Sequence, residues 1–189
     1  MKIHYRKALR SLNSFIEQLS FRIKAFILGF ESANINIGRY NKETILLLLK
    51  KYGANIGDNC DIECGLTFHN CKDYSNLVIG NGSHIGKNCF LDLKDKIVIG
   101  NNVTLSMGTT LLTHQDLGLS SINLLYPKSQ ARIKIGDDVY IGANVTILKG
   151  VTIGKRSIIG AGSLVINDVL ENIIVGGVPA KKIKILDNE

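Results

Sequence analysis

Few residues of this 189-residue chain have the type and setting to do chemistry. His114 stands in 109-TTLLTHQDLG-118, with Asp116 two residues on. An imidazole, with an ordinary pKa of about 6.5, can take a proton from an alcohol near neutral pH. A carboxylate can hold such a ring in one orientation, which makes Asp116 a candidate orienting residue; a solvated, turn-forming aspartate is the other reading. A second group lies upstream: Asp92 in 90-FLDLKD-95, His84, and the pair His69 and Asn70 in 67-TFHN-70. Their side chains suit contacts to a hydroxylated substrate, and structural or surface roles suit them equally. The cysteines at 60, 64, 71 and 89 form no CxxC pair, and their irregular spacing reads as reduced, mostly buried thiols of a cytosolic chain.

The elements that must position these groups repeat. Ile79, Ile85 and Leu91 are six residues apart, as are Ile99, Leu105 and Leu111. The series Ile135, Ile141, Ile147, Ile153, Ile159 and Val165 runs longest, and Ile56 and Ile62 begin the pattern upstream. Glycine often follows the aliphatic residue, as at Gly80, Gly100 and Gly142. A period of six fits neither a helix nor a plain strand. It fits a short strand, a corner and another short strand, with one aliphatic side chain per hexad pointing inward. Coils of this kind pair through their main chains, and the pattern predicts a hexapeptide parallel β-helix. The rhythm breaks from Phe68 to Ile79, from Leu91 to Ile99, and from Leu111 to Ile135. The expected excursions are 66–77 and 112–132, and His114 opens the longer one. A rigid scaffold usually carries function on such loops.

The first fifty residues differ. Leu9, Leu12, Ile16, Leu19, Ile23, Phe26 and Phe30 recur at spacings of three and four, which predicts an amphipathic helix ending near Gly29. A second helix is expected from about Lys42 to Tyr52, capped by Asn41 and followed by Gly53. The division is thus a helical segment over 1–53, a β-helix over 54–172, and a C-terminal strand and basic tail over 173–189.

The hexads, the loop histidine, the run 138-DVYIGANVTILKGVTIGKRSIIGAGSLV-165 and the tail 173-IIVGGVPAKKIK-184 together resemble the hexapeptide-repeat acyltransferases over roughly residues 54–186. The likeness is strongest to galactoside/maltose O-acetyltransferases and to acetyltransferases of surface-polysaccharide biosynthesis. The resemblance implies a mainly β fold, a left-handed parallel β-helix, assembled as a homotrimer with active sites between neighbouring prisms. It implies an acetyl-CoA co-substrate, no required metal, and a saccharide hydroxyl as acceptor. It implies that His114 is the general base and that Asp92 lies where relatives contact the acceptor. It implies main-chain contacts to the pantetheine arm at Ala143 and Ala161, and contacts to the 3′-phosphate from Lys181 and Lys184. Relatives often carry T-K-D where this chain has 166-IND-168, so Asn167 removes one phosphate contact. The short match at 67-TFHN-70 to serine acetyltransferases is weak. Other acceptors remain open: an amino sugar, serine or an antibiotic hydroxyl. So do two other classes: a zinc carbonic-anhydrase-like β-helix using His69, His84 and His114, and a non-catalytic trimeric scaffold.

Charge is uneven. The net charge is +7, and residues 1–30 hold six Lys/Arg against one Glu. That segment is expected to pack on the prism base or a neighbouring subunit, or to rest peripherally on an anionic membrane. No recognised nucleic-acid module accompanies the charge. No apolar run approaches the roughly 18 residues of a membrane span, and no signal-peptide pattern opens the chain. The expected location is cytoplasmic, with peripheral contact at the inner face of the membrane as the variant.

Overall fold

In the computed structural model, residues 2–186 are described, with side chains from Leu9 onward. The end of the expected basic tail, 187–189, lies outside the described residues. Three helices open the chain: α1 (Lys2–Leu28), α2 (Phe30–Asn34) and α3 (Lys42–Lys51), with a 3-10 turn over Ile37–Arg39. Gly29 breaks α1 from α2 with φ of 86°, a conformation that costs glycine little. Asn41 caps α3 by accepting from the Thr44 amide.

From Asn55 the chain winds as a solenoid of parallel strands on three faces, with nearly all of its strands two or three residues long. Face one stacks 55–56, 77–79, 97–99, 133–135 and 152–153. Face two stacks 61–62, 84–85, 104–105, 140–141, 158–159 and 173–176, and Lys181–Ile185 folds back antiparallel on the last of these. Face three stacks 67–69, 90–92, 110–111, 146–147 and 164–165.

The hexad residues form continuous ladders. Ile56, Ile79, Ile99, Ile135 and Ile153 lie in register on face one. Ile62, Ile85, Leu105, Ile141, Ile159 and Val175 do so on face two, and Phe68, Leu91, Leu111, Ile147 and Val165 on face three. All are buried, and burying each aliphatic side chain contributes about 1.5–3 kcal/mol.

The corners have their own chemistry. Asn88, Asn102, Asp138 and Asn144 take positive φ, which short polar side chains tolerate. Successive corners are also tied together: the Asp58 amide donates to Asn81 Oδ1, the Asn81 amide to Asn101 Oδ1, and the Asn101 amide to Asp137 Oδ1. Gly108 takes φ of 71°, which would strain any side chain, and a Cβ there would displace the Asn144 side chain of the next coil.

The breaks in rhythm are narrower than expected at the first site. Leu66 is buried and Thr67–His69 belongs to face three, so the chain leaves the prism at Asn70 and rejoins it at Leu77. The long excursion leaves after Leu111 and returns at Ile133. Its base is a two-stranded antiparallel ribbon that pairs His114 with Gln130 and Gln115 with Ser129.

The N-terminal helix packs the opposite way from the usual amphipathic arrangement. Its buried side is made by Ser14 and Phe21: Ser14 Oγ accepts from the buried Thr44 hydroxyl, and Phe21 meets Phe30 and Tyr52 at 5.8 and 5.1 Å between ring centroids. Glu17 accepts from Asn41 Nδ2 at 2.6 Å. The aliphatic stripe read from the sequence is exposed from Leu9 through Phe26, so it does not pack on the prism base.

Candidate active site

The site forms where the ribbon leaves face three. The strand Phe90–Asp92 runs one residue beyond its hexad position, and the next coil lies above it with Leu111 over Leu91. That register sets Thr113 and His114 over Asp92. Asp92 is completely buried and its carboxylate is saturated. Oδ2 accepts from the Thr113 amide at 2.9 Å and the His114 amide at 3.1 Å, and lies 2.6 Å from His114 Nδ1. The Thr113 hydroxyl lies 2.9 Å from Oδ2 and 2.7 Å from the Asp92 carbonyl oxygen. Oδ1 accepts from Asn70 Nδ2 at 3.1 Å and from the Lys94 amide at 3.3 Å. Burial alone would push this carboxyl up, but the hydrogen bonds from His114, Asn70 and Thr113 outweigh it and hold Asp92 below the usual carboxylate range.

An ionised Asp92 fixes the tautomer of His114. Nδ1 carries the proton and donates to the carboxylate, which leaves the Nε2 lone pair free to accept. Asn70 Nδ2 lies 3.3 Å from Nε2, close enough for its second N–H to donate there. Asn70 sits at the corner where the short excursion departs, with φ of 53°. The His114 side chain is 23% exposed, so solvent or substrate reaches the ring edge.

Of the residues read from the sequence, the structure gathers His114, Asp92, Asn70 and His69. The His69 ring centroid is 6.5 Å from that of His114 and 5.7 Å from that of Phe90. His69 and Asn70 also line a cleft of about 760 Å³ walled on its far side by Phe30, Glu31 and Asn34 of α2. Two expectations are corrected. Asp116 does not hold the histidine: its carboxylate takes Lys128 Nζ at 2.6 Å and the Gly118 amide at 2.9 Å, within the excursion. Asp92 is not exposed to an acceptor, because the ribbon base covers it; it holds the histidine instead. Thr113 and Asn34 were not singled out in the sequence. The stacking of Leu111 on Leu91 carries a signal for Thr113, since it sets the residues after Leu111 over Asp92.

His84 lies elsewhere. It is on face two, with Nδ1 3.0 Å from Asp61 Oδ2. It lines a separate groove of about 490 Å³ with Glu63, Lys87, Ser106, Met107 and Ala143. Ala143 and Ala161 stack at successive corners between faces two and three: the Gly162 amide donates to the Ala143 carbonyl at 2.8 Å. Lys181 and Lys184 are exposed on the returning strand at the end of face two. Within one chain, then, the imidazole of His114 and the stacked corners of Ala143 and Ala161 lie on different edges of the prism.

Cys71, beside Asn70, is the cleft's one cysteine. Burial, with help from Asp73, Glu31 and Asp92, pushes its thiol up to about 11, so it is protonated at neutral pH and a poor nucleophile. The arrangement therefore offers an imidazole oriented through Nδ1, with Nε2 at the ring edge and no activated nucleophile. That is the equipment of general base catalysis.

A three-faced coil of hexads is the architecture of the hexapeptide-repeat transferases, and comparison with known proteins agrees. Residues 132–167 match the family described as bacterial transferase hexapeptide (six repeats), and residues 76–113 match the hexapeptide repeat of succinyl-transferase. The galactoside O-acetyltransferase of Lactococcus lactis subsp. lactis (strain IL1403) is 34% identical over 143 residues, which is 75% of this chain and 68% of that protein. The galactoside O-acetyltransferase of Escherichia coli (strain K12) is 32% identical over 148 residues, 72% of this chain and 66% of that protein. The crystal structure of a hexapeptide-repeat-containing acetyltransferase of Vibrio cholerae O1 biovar eltor, complexed with acetyl coenzyme A, has a TM-score of 0.70 at 28% identity, covering 96% of this chain and 89% of its own. The chain belongs to the hexapeptide-repeat acyltransferase family.

Proposed function

We propose that the protein is an acetyl-CoA-dependent O-acetyltransferase whose acceptor is a saccharide hydroxyl of a surface polysaccharide or lipopolysaccharide. The observation that carries this reading is the 2.6 Å contact of His114 Nδ1 with a buried carboxylate, which leaves Nε2 as the accepting nitrogen, 3.3 Å from Asn70 in the cleft wall. An alcohol is a weak nucleophile. With Nε2 taking its proton, the oxygen can attack a thioester carbonyl, and as the C–S bond breaks the imidazolium returns that proton to the departing thiolate. Asp92 stabilises the imidazolium while the proton is held. Asn70, now donating to Nε2, must yield that position to the acceptor hydroxyl. His69 and Asn70 are the acceptor contacts on this reading. The high thiol pKa of Cys71 supports direct transfer from donor to acceptor over an acyl-cysteine route.

The donor is assigned to the groove and corners of Ala143 and Ala161, with Lys181 and Lys184 as point charges for its phosphates. These residues suit an extended, phosphate-bearing ligand: the corner at Gly162 has open space beside it and the strand beyond carries three lysines. Because this groove and His114 lie at different corners of one prism, the reading requires a neighbouring copy to complete the site. A homotrimer meets that need. The exposed apolar tip of the long excursion, with Leu119, Leu124, Leu125 and Tyr126, supports an intersubunit contact.

Replacement of His114 by Ala tests the assignment. The variant is expected to fold, to assemble and to bind CoA by calorimetry, while acetyl transfer followed by thiol release falls about 10²–10⁴-fold. Near-normal turnover would refute the role of His114.

A further inference from the structure

The outward face of α1 is unaccounted for by the reaction. Leu9, Leu12, Phe15, Ile16, Leu19, Ile23, Phe26 and Ile27 are all exposed, Phe15 by 63% and Phe26 by 90%. At 100° per residue these eight side chains fall within an arc of about 120°. The arc lies opposite Ser14 and Phe21, through which the helix is fastened to the body. The stripe is thus presented to the surroundings by a helix held firmly from behind.

Two occupants suit such a stripe: a second copy of the helix or a lipid surface. Charge decides between them. Residues 1–30 carry six Lys/Arg and one Glu. That glutamate, Glu17, is engaged with Asn13 and Asn41 on its own chain. Paired copies of α1 would therefore set like charges together with no acidic partner, whereas stable helix pairs set opposite charges beside their seams. Arg22 and Lys24 flank Ile23 at about 100° to either side, where long basic side chains reach headgroups from a helix lying flat. No described helix is long and apolar enough to cross a membrane.

We infer that α1 lies on an anionic membrane surface, with its apolar stripe in the acyl boundary and its basic residues among the headgroups. The C-terminal end of α1 reaches the cleft that Asn70 lines, since Leu28, Gly29 and Phe30 line it too. If the Proposed function holds, an acceptor carried on a lipid would therefore arrive at the cleft without leaving the bilayer surface.

Vesicle sedimentation with the full chain tests this. Vesicles of phosphatidylcholine with about 30% phosphatidylglycerol should bind the protein, and phosphatidylcholine alone should bind it far less. The Arg22→Gln, Lys24→Gln variant should bind about 25-fold more weakly, at about fivefold per charge. A Phe15→Ser, Phe26→Ser variant, with an unchanged far-ultraviolet spectrum and melting temperature, should lose binding to the anionic vesicles. Failure of the full chain to bind, equal binding to neutral and anionic vesicles, or undiminished binding by the phenylalanine variant would overturn the inference. So would a smaller assembly for that variant in sedimentation velocity without vesicle binding by the parent chain, which would give the stripe to a second copy. None of these measurements depends on acetyl transfer.

Discussion

A buried carboxylate facing a half-covered imidazole is the most consequential pair of residues in this chain. The Asp92 carboxylate meets five N–H donors that a neutral amide could not satisfy as well, so Asp92→Asn should cost about 1–3 kcal/mol of stability by denaturant unfolding. The same change should lower kcat and leave the KM for acetyl-CoA nearly unchanged, since it disturbs the ring tautomer and not the donor groove. The sign of the pH effect follows from the depressed carboxyl. A group with a folded pKa below its unfolded value stabilises the fold above the unfolded value and loses that contribution as pH falls through the folded one. The stability gap between the parent and Asp92→Asn should therefore be flat above about pH 5 and shrink below about pH 4. His114 could be read from the sequence because it broke a regular beat. Its partner could not be read by proximity. Asp116 is two residues away in sequence and serves its own loop, while Asp92 is twenty-two residues away and directly beneath. Stacked coils make distance in space depend on register, and only the hexad alignment of Leu91 with Leu111 carries that information.

At the scale of elements, the short excursion 70–76 depends on α2. Asn34 Nδ2 donates to the Phe68 carbonyl at 2.7 Å, and Asn34 Oδ1 accepts from the buried Tyr74 hydroxyl at 2.9 Å. One amide thus ties the strand before Asn70 to the loop after it. Asn34→Ala strands both partners and should destabilise the protein by about 1–3 kcal/mol. Tyr74→Phe removes only a donor and should be milder in the same unfolding experiment. The prism core should respond more strongly: Leu105→Ala in the face-two ladder should cost about 2–5 kcal/mol. The coils were legible because each hexad shows its inward residue by period alone, and the caps Asn41 and Gly29 marked helix ends. The helical region was legible as helices but not as packing. A stripe at three-four spacing says that one side of α1 is apolar; it does not say which side meets the body. Here Ser14, Glu17 and Phe21 made the attachment, through specific hydrogen bonds and one aromatic cluster that no periodicity announces.

At the scale of the whole molecule, the proposed roles of His114 and the Ala143–Ala161 corner, which lie apart, predict that an isolated protomer is inactive. Sedimentation equilibrium should find a trimer, and activity should fall when dilution dissociates it. The tail offers a second check. Lys181→Gln with Lys184→Gln should raise the KM for acetyl-CoA several-fold at low salt. The difference should vanish with a donor lacking the 3′-phosphate.

The strand Lys181–Ile185 has one more consequence. A solenoid of parallel coils has no natural end, and its final strand is a template on which another molecule could continue. Here Ile173–Gly176 is covered by a reversed strand whose three lysines discourage any further neighbour. Removing residues after Gly176 should uncover the template, and because α3 still plugs the first coil, the shortened protein should join end to end in pairs detectable by light scattering. On this view, the segment closes the open end of the coil as well as serving any ligand.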